Sequence, residues 1–397
     1  MTFYAIWTDG CAGGTICFEP NGAEAGTMDN LTGERGTTIS LIAPNYSRTG
    51  YGFAGWNTKP DGTGINYGPQ QNITIPTSGG IILYANWIQS TGTLQTWTDA
   101  DSMEVGDITA LTDERDNQTY AVAKFEDGNV WFIENSRLDP SSANITILNT
   151  NHPTSSFLEN APNSTSSNTQ CKDTNAACIN TIAYNTNNLN RNLNQSPTTS
   201  DNASAWYSYG VLYNWHTATA GNGTYDYTST SGPNADGTVP GDICPAGWHL
   251  PTGNNGEYVT LVSTIRGFAN TDVKVRNYPY NFIRSGEYYN NSSSERGIIG
   301  RYWSSTASEN AKAYRLGFNE TSLTPNNTWN KWDNFAVRCI YDGNRIPTNE
   351  VTVNLPEHVT SVNFSNATYG NQEVTATGTT INLVDDAPYT IVATFEE

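Results

Sequence analysis

The residues of this chain whose types could do chemistry are six cysteines, four histidines, and a run of tyrosines and tryptophans set among asparagines. Cysteine and histidine would hold zinc, or carry redox or acid–base work, if they clustered. They do not. No two cysteines have Cys-x-x-Cys spacing, and His152, His216, His249 and His358 are scattered. The sequence contains no Gly-x-Ser-x-Gly elbow, no His-Glu-x-x-His and no phosphate loop; Gly62-x-Gly64-x-x-x-Gly68 has the wrong spacing and no helix is predicted after it. No catalytic residue is expected, and the chain reads as a binding protein rather than an enzyme.

The segment between Arg276 and Asn334 offers the best ligand surface. It carries Tyr278, Tyr280, Tyr288, Tyr289, Trp329 and Trp332 among Asn, Ser and Glu. Tyr and Trp give large contact area for little rotamer entropy, and Asn and Ser adapt their hydrogen bonds, which is the chemistry of a paratope. The candidate ligand-binding residues are Tyr288, Tyr289, Asn290, Asn319, Trp329, Lys331, Trp332, Asp333 and Asn334. Other aromatics read as core: Tyr302 and Trp303 in a strand-like tag, and Trp131, Trp215 and Trp248. His249 is expected in a buried turn as a hydrogen-bonded side chain, and Arg338 paired with a buried acid or carbonyl.

Six cysteines allow 15 pairings. Sequence proximity favours Cys11–Cys17 and Cys171–Cys178, which leaves Cys244–Cys339 as a long-range closure. An even count in a loop-rich chain fits an oxidising, exported setting. The 397 residues are too many for one core. Only 14% are charged, and 38 acidic against 19 basic residues give a formal charge of −19. A field of that sign argues against nucleic-acid or anionic-membrane partners, which need a basic patch. No run approaches the ~18 apolar residues needed to span a bilayer, and no signal peptide follows Met1.

These residues must be positioned by a modular, mostly β chain. Tyr4-Ala5-Ile6-Trp7 returns as Tyr84-Ala85-Asn86-Trp87, so residues 1–10 read as the end of a preceding repeat in a longer array. Residues 89–106 read as a polar linker. A hairpin is predicted from Thr119 to Phe125 and Val130 to Ile133 around Asp127-Gly128, because Asp-Gly supplies the positive φ of a tight turn. Residues 139–204 form a long polar insertion, a short helix is expected at Glu257, and the alternation in 346–397 predicts a small all-β module, immunoglobulin-like or a stalk unit.

Within residues 11–88, Ile16-Cys17-Phe18-Glu19-Pro20-Asn21-Gly22 and Gly50-Tyr51-Gly52-Phe53-Ala54-Gly55-Trp56-Asn57-Thr58 resemble the Listeria–Bacteroides, or internalin-type B, repeat. The resemblance implies a β-grasp-like module of bacterial surface proteins. Residues 107–342 carry Asp113 to Asp116, Val130 to Asn135, Leu212 to Trp215, Cys244 to Pro251, Tyr302 to Thr306 and Phe335 to Cys339. In these they are similar to the Fibrobacter succinogenes major paralogous domain, whose fold is like that of C-type lectins and of formylglycine-generating enzymes. That resemblance implies an α+β, secreted or surface-exposed domain in which Cys244 pairs with Cys339. Trp332-Asp333-Asn334 is similar to the Trp-Asn-Asp calcium motif of lectins with its order swapped, and the partner tripeptide is absent. No cofactor is expected, with structural calcium left open.

The expectation is a modular fold: a β-grasp-like repeat, a C-type-lectin-like domain and a small β-sandwich-like module. Its expected function is a cell-surface adhesin fragment recognising a glycan or a protein on another cell, without nucleic acid and without membrane insertion in this fragment. A purely architectural spacer is the alternative; an enzyme of the formylglycine-generating-like fold is the third reading.

Overall fold

Alternating apolar residues build the strands, and their partners come from far along the chain. The computed structural model describes residues 10–138, 209–219, 242–265, 272–289, 292–309, 312–331, 333–342, 348–366, 370–384 and 390–395. The expected strand at residues 1–9, the pair Cys171–Cys178, and all of the polar insertion 139–204 lie outside them. The described chain is mostly β, in several sheets. None of its helices is long and apolar enough to cross a membrane.

The first strands are β1 (Thr15–Glu19), β2 (Leu31–Thr32), β3 (Thr38–Ser40), β4 (Tyr51–Asn57), β5 (Asn66–Tyr67), β6 (Asn72–Thr74) and β7 (Ile81–Thr93). β7 lies between β1, which runs parallel to it, and β4, which runs antiparallel. Leu83, Ala85 and Trp87 alternate into a core with Phe18, Phe53 and Trp56. Phe53 and Trp56 are an odd number of positions apart and would face opposite ways in a regular strand. The register shift between Phe53 and Gly55 is a bulge that brings both inward, with ring centroids 5.2 Å apart, and turns Ala54 to the other side. Gly55, at φ 134°, supplies the backbone that the bulge requires. Cys11 and Cys17 are joined.

Residues 89–106, expected as a linker, are structured. β7 runs on to Thr93 and pairs in parallel with β8 (Ile108–Thr112). Two 3₁₀ turns follow, at Leu94–Thr96 and Asp99–Ser102. Their apolar residues anchor them: Leu94 is buried, and Trp97 stacks on Trp248 and meets Tyr341. The sequence looked like a linker because Ser, Thr and Gly dominate it. Threonine on a strand bonds across the ladder, as Thr91 does to Thr109.

The predicted hairpin forms as β9 (Thr119–Lys124) and β10 (Val130–Phe132), with Gly128 at φ 86° and Trp131 Nε1 donating to Asp127 at 2.9 Å. Further on come α1 (Trp215–Ala218), capped by the Asn214 side chain on the Thr217 N–H, and β11 (Trp248–His249). The expected helix is α2 (Glu257–Ile265); Tyr258, Leu261, Val262 and Ile265 make its buried stripe at helical spacing. Then come α3 (Val273–Arg276), the pair β12 (Glu287–Tyr289) and β13 (Ser292–Ser294), and the meander β14 (Gly300–Glu309), β15 (Lys312–Asn319) and β16 (Ser322–Asn330). β17 (Ile340–Tyr341) returns between β10 and β11. One ten-stranded sheet therefore runs from β11 through β17, β10, β9, β8 and β7 to β1 and β2, with β4 and β5 branching from β7.

Tyr302, Trp303, Trp131, Trp215 and Trp248 are all interior. Cys244 and Cys339 form the long closure, and Arg115, paired with Asp113, donates to the carbonyl of Ile243 beside it. Arg338 is buried and donates to the carbonyls of Tyr280 and Asn281 and to Asn135 Oδ1.

The last strands are β18 (Thr348–Val353), β19 (Val359–Asn366), β20 (Gly370–Val374), β21 (Thr379–Val384) and β22 (Thr390–Phe395). β18 pairs with β21, and β19 pairs with β20 and β22. Val362, Phe364 and Val374 form the core of this module.

Candidate functional site

The meander β14–β16 carries the candidate site, and register decides which side chains meet. Arg301 lies opposite Gly317, Arg315 opposite both Trp303 and Asn327, and Trp329 opposite Ala313. These residues share one face. The missing side chain at Gly317 and the small one at Ala313 leave room beside Trp329: a Cβ on Gly317 would collide with the Arg315 guanidinium. Both guanidiniums accordingly lie over the half-buried Trp329 ring, each with its Cζ 5.0 Å from the centroid. Such cation–π contacts are worth about 0.5–2 kcal/mol apiece, more as water is removed.

Two like charges this close need anions. Arg301 pairs with Glu287 and, at 2.8 Å, with Glu295. Burial and the neighbouring Arg301 lower the Arg315 pKa to about 10. Asp333 is buried near them; burial, reinforced by the charge of Glu287, lifts its carboxyl to about 7. Lys331 is buried with its Nζ 4.3 Å from the Trp215 ring, on α1. The result is an interior charge cluster whose outer wall is Trp329 beside the exposed Asn326 and Asn327.

Of the sequence-derived candidates Trp329, Lys331, Asp333 and Asn334, the cluster brings Trp329 and Asp333 together. Lys331, Asp333 and Asn334 are interior, so of these four only Trp329 offers a partly open surface. Asn319 is elsewhere, at the opposite end of the β15–β16 hairpin, where its Oδ1 accepts from the Thr321 N–H at 3.0 Å; it is a turn residue. Tyr288 and Tyr289 lie on β12, opposite Ser293 and Ser292 and next to Glu287. Asn290 and Trp332 fall outside the described residues. Sequence reasoning missed Arg301, Arg315, Glu287 and Glu295. No local signal marks the arginines, because Arg301 and Arg315 lie on different strands and meet only through the register of the sheet.

Calcium does not fit this cluster. Glu287 and Glu295 are already bound to the Arg301 guanidinium, and among the described residues no group of three or more His, Cys, Asp or Glu side chains has metal-site geometry.

A second polar node sits beside the disulfide. His249 on β11 contacts Asp342 through Nδ1 and Glu257 through Nε2, the latter at 3.3 Å. Burial opposes its charge, but the bonds to Asp342 and Glu257 outweigh that and lift its pKa to about 9. Burial would raise Glu257, yet His249 and Thr252 bring it down to about 2. Asp242, fully buried, is raised to about 6 while accepting from the Leu250 and Cys244 N–H groups. As expected for His249, its side chain is hydrogen-bonded, here as a clasp between two carboxylates.

The strand order and core of the first module can now be set against known proteins. Residues 15–86 match the family model of the Listeria-Bacteroides repeat domain. The match spans β1 through the first six residues of β7, so this is a repeat-containing modular protein. No curated protein matches the chain, and no solved structure does.

Proposed function

We propose that this chain is part of an extracellular surface protein whose centre recognises a glycan or a protein on another cell, with the Trp329 face of β14–β16 as the contact surface. The observation that carries this reading is a half-buried tryptophan held by two arginines beside exposed asparagines. An aromatic ring fixed in place can stack on a sugar or an apolar side chain without losing freedom, while amides beside it supply adaptable hydrogen bonds. The repeat and the disulfides Cys11–Cys17 and Cys244–Cys339 support an oxidising, exported setting. In this reading the repeat is β-grasp-like, the centre C-type-lectin-like and the end β-sandwich-like, and the joined Cys244 and Cys339 weigh against thiol chemistry. Binding of the full chain to a glycan array and to whole cells tests it. A saturable signal lost in Trp329→Ala, with near-native stability retained, supports recognition at this face.

The architectural reading has its own support. Arg301, Lys331 and Asp333 turn their charges inward, as side chains that stabilise a fold do. A folded chain that binds nothing in either assay would favour it.

A further inference from the structure

We propose that the repeat at residues 15–86 is a template on which the centre folds, so that residues 15–342 form one cooperative unit rather than a spacer carrying a separate head. Tyr51, Phe53 and Trp56 serve the repeat's own core. Between them stand Gly52 and Ala54, and both face the centre. A Cβ on Gly52 would land on the backbone of Ala121 in β9, and Ala54 is buried in the cluster of Ala121, Phe125 and Trp131. Gly68 repeats the device, since a Cβ there would strike the carbonyl of Arg276. Small residues thus let two backbones approach where an independent module would show side chains to water.

Polar groups also bond across the same boundary. Glu134 Oε2 accepts the N–H of Ala121 in the centre at 2.7 Å and that of Phe53 in the repeat at 3.1 Å. Asn281 Nδ2 donates to the carbonyl of Ala54 at 2.7 Å, and Gln70 Oε1 accepts the N–H of Arg284 at 2.6 Å. Arg276, 1% exposed, donates to the Gln70 carbonyl, to Ser40 Oγ and to Asn72 Oδ1. Separation would leave these groups facing water or orphaned inside, and orphaned buried groups are what folded proteins avoid. Independent domains meet through modest interfaces more polar than obligate ones, whereas here Ala54 is also buried among the apolar Ala121, Phe125 and Trp131. The partner that this face of the repeat fits is therefore a strand with small side chains, backed by an amide and a guanidinium that read the 68–72 turn.

Hydrogen exchange on the full chain tests the proposal. Gly52→Val adds methyls whose nearest neighbours belong to Ala121 and Tyr120, not to the repeat. It is expected to speed exchange at 119–124 and 281–284 by roughly ten- to a hundredfold, the range of an overpacked core. Gln70→Ala is the milder variant, removing the bonds to Arg284 and Tyr209, and should move the same peptides in the same direction. Thr38→Val, at an exposed position of the β3–β6 pair, should leave them within about twofold. If Gly52→Val unfolds all of 15–342 while Thr38→Val does not, the proposal stands. If both test variants leave 119–124 and 281–284 as protected as in the wild type, the modules are independent and the proposal fails.

Discussion

At residue 88 the chain passes from repeat to centre inside a single strand, whereas past Tyr341 it enters strands that, among the described residues, pair with one another. The first junction is sealed by a shared sheet, by Gly52 and Ala54 against Ala121, and by Glu134 and Arg276 reaching across. In the C-terminal module the bonds close locally, as from Leu355 to Thr377 and from Gly378 to Val353. Its core is small. On β22, Ile391 and Phe395 sit opposite Phe364 and Val359, on the side of the core, yet remain 62% and 65% exposed. The difference is one of means: a module entered within a strand inherits hydrogen-bonding edges and buried partners, while one entered through a connector must bury its own surface, and some fifty residues bury little.

The largest expected effect that would sharpen this contrast comes from the disulfide. Replacing Cys244 and Cys339 together by Ser opens a loop of sequence separation 95, a loss of about 4–5 kcal/mol on chain-entropy grounds. Urea unfolding followed by peptide-resolved exchange should show 15–342 weakened as a whole and 359–366 unchanged; a C-terminal module that weakens in step would break the comparison.

A smaller effect is expected from pH. His249 holds its proton up to about 9 when folded against 6.5 when unfolded, in contact with Asp342 and Glu257 and near Asp242. Because the folded state binds this proton more tightly, the stability it confers is complete below pH 6.5 and is lost as pH rises toward 9. Glu257, lowered to about 2, acts with the opposite sign: its contribution is present above pH 4.5 and is lost as pH falls toward 2. His249→Gln should flatten the alkaline limb between pH 7 and 9 across 15–342 and leave the C-terminal module as it was. An unchanged slope would assign that limb to other groups.

The smallest effect belongs to β22. Ile391→Ser and Phe395→Ser, at sites that bury so little, should change stability by no more than about 0.5 kcal/mol. Thermal unfolding of the C-terminal module checks this, and a large loss would show that β22 holds more of that core than its exposure indicates.

What could be read from the sequence follows the range of each signal. The 119–133 hairpin was legible because alternation and Asp127-Gly128 are local, and Cys11–Cys17 because six residues of separation leave little choice. The repeat was legible from its aromatic spacing. The role of 89–106 was hidden because a strand rich in Ser, Thr and Gly gains its identity from a parallel partner, β8, that only the fold supplies. The Arg301–Trp329–Arg315 stack was hidden for the same reason, since the register of three strands decides which side chains share a face. Composition could not show that Asn319 closes a turn or that Lys331 lies inside.

The thirteen residues of β7 also fix how this molecule would carry load. β7 lies parallel to β1 over 81–84 and to β8 over 90–93, so the repeat and the centre grip opposite ends of one strand. Tension that draws the two along that axis slides parallel strands past each other, and every bond of a pair then bears it together instead of opening in turn. The junction that reads as a linker in the sequence is, mechanically, a shear joint.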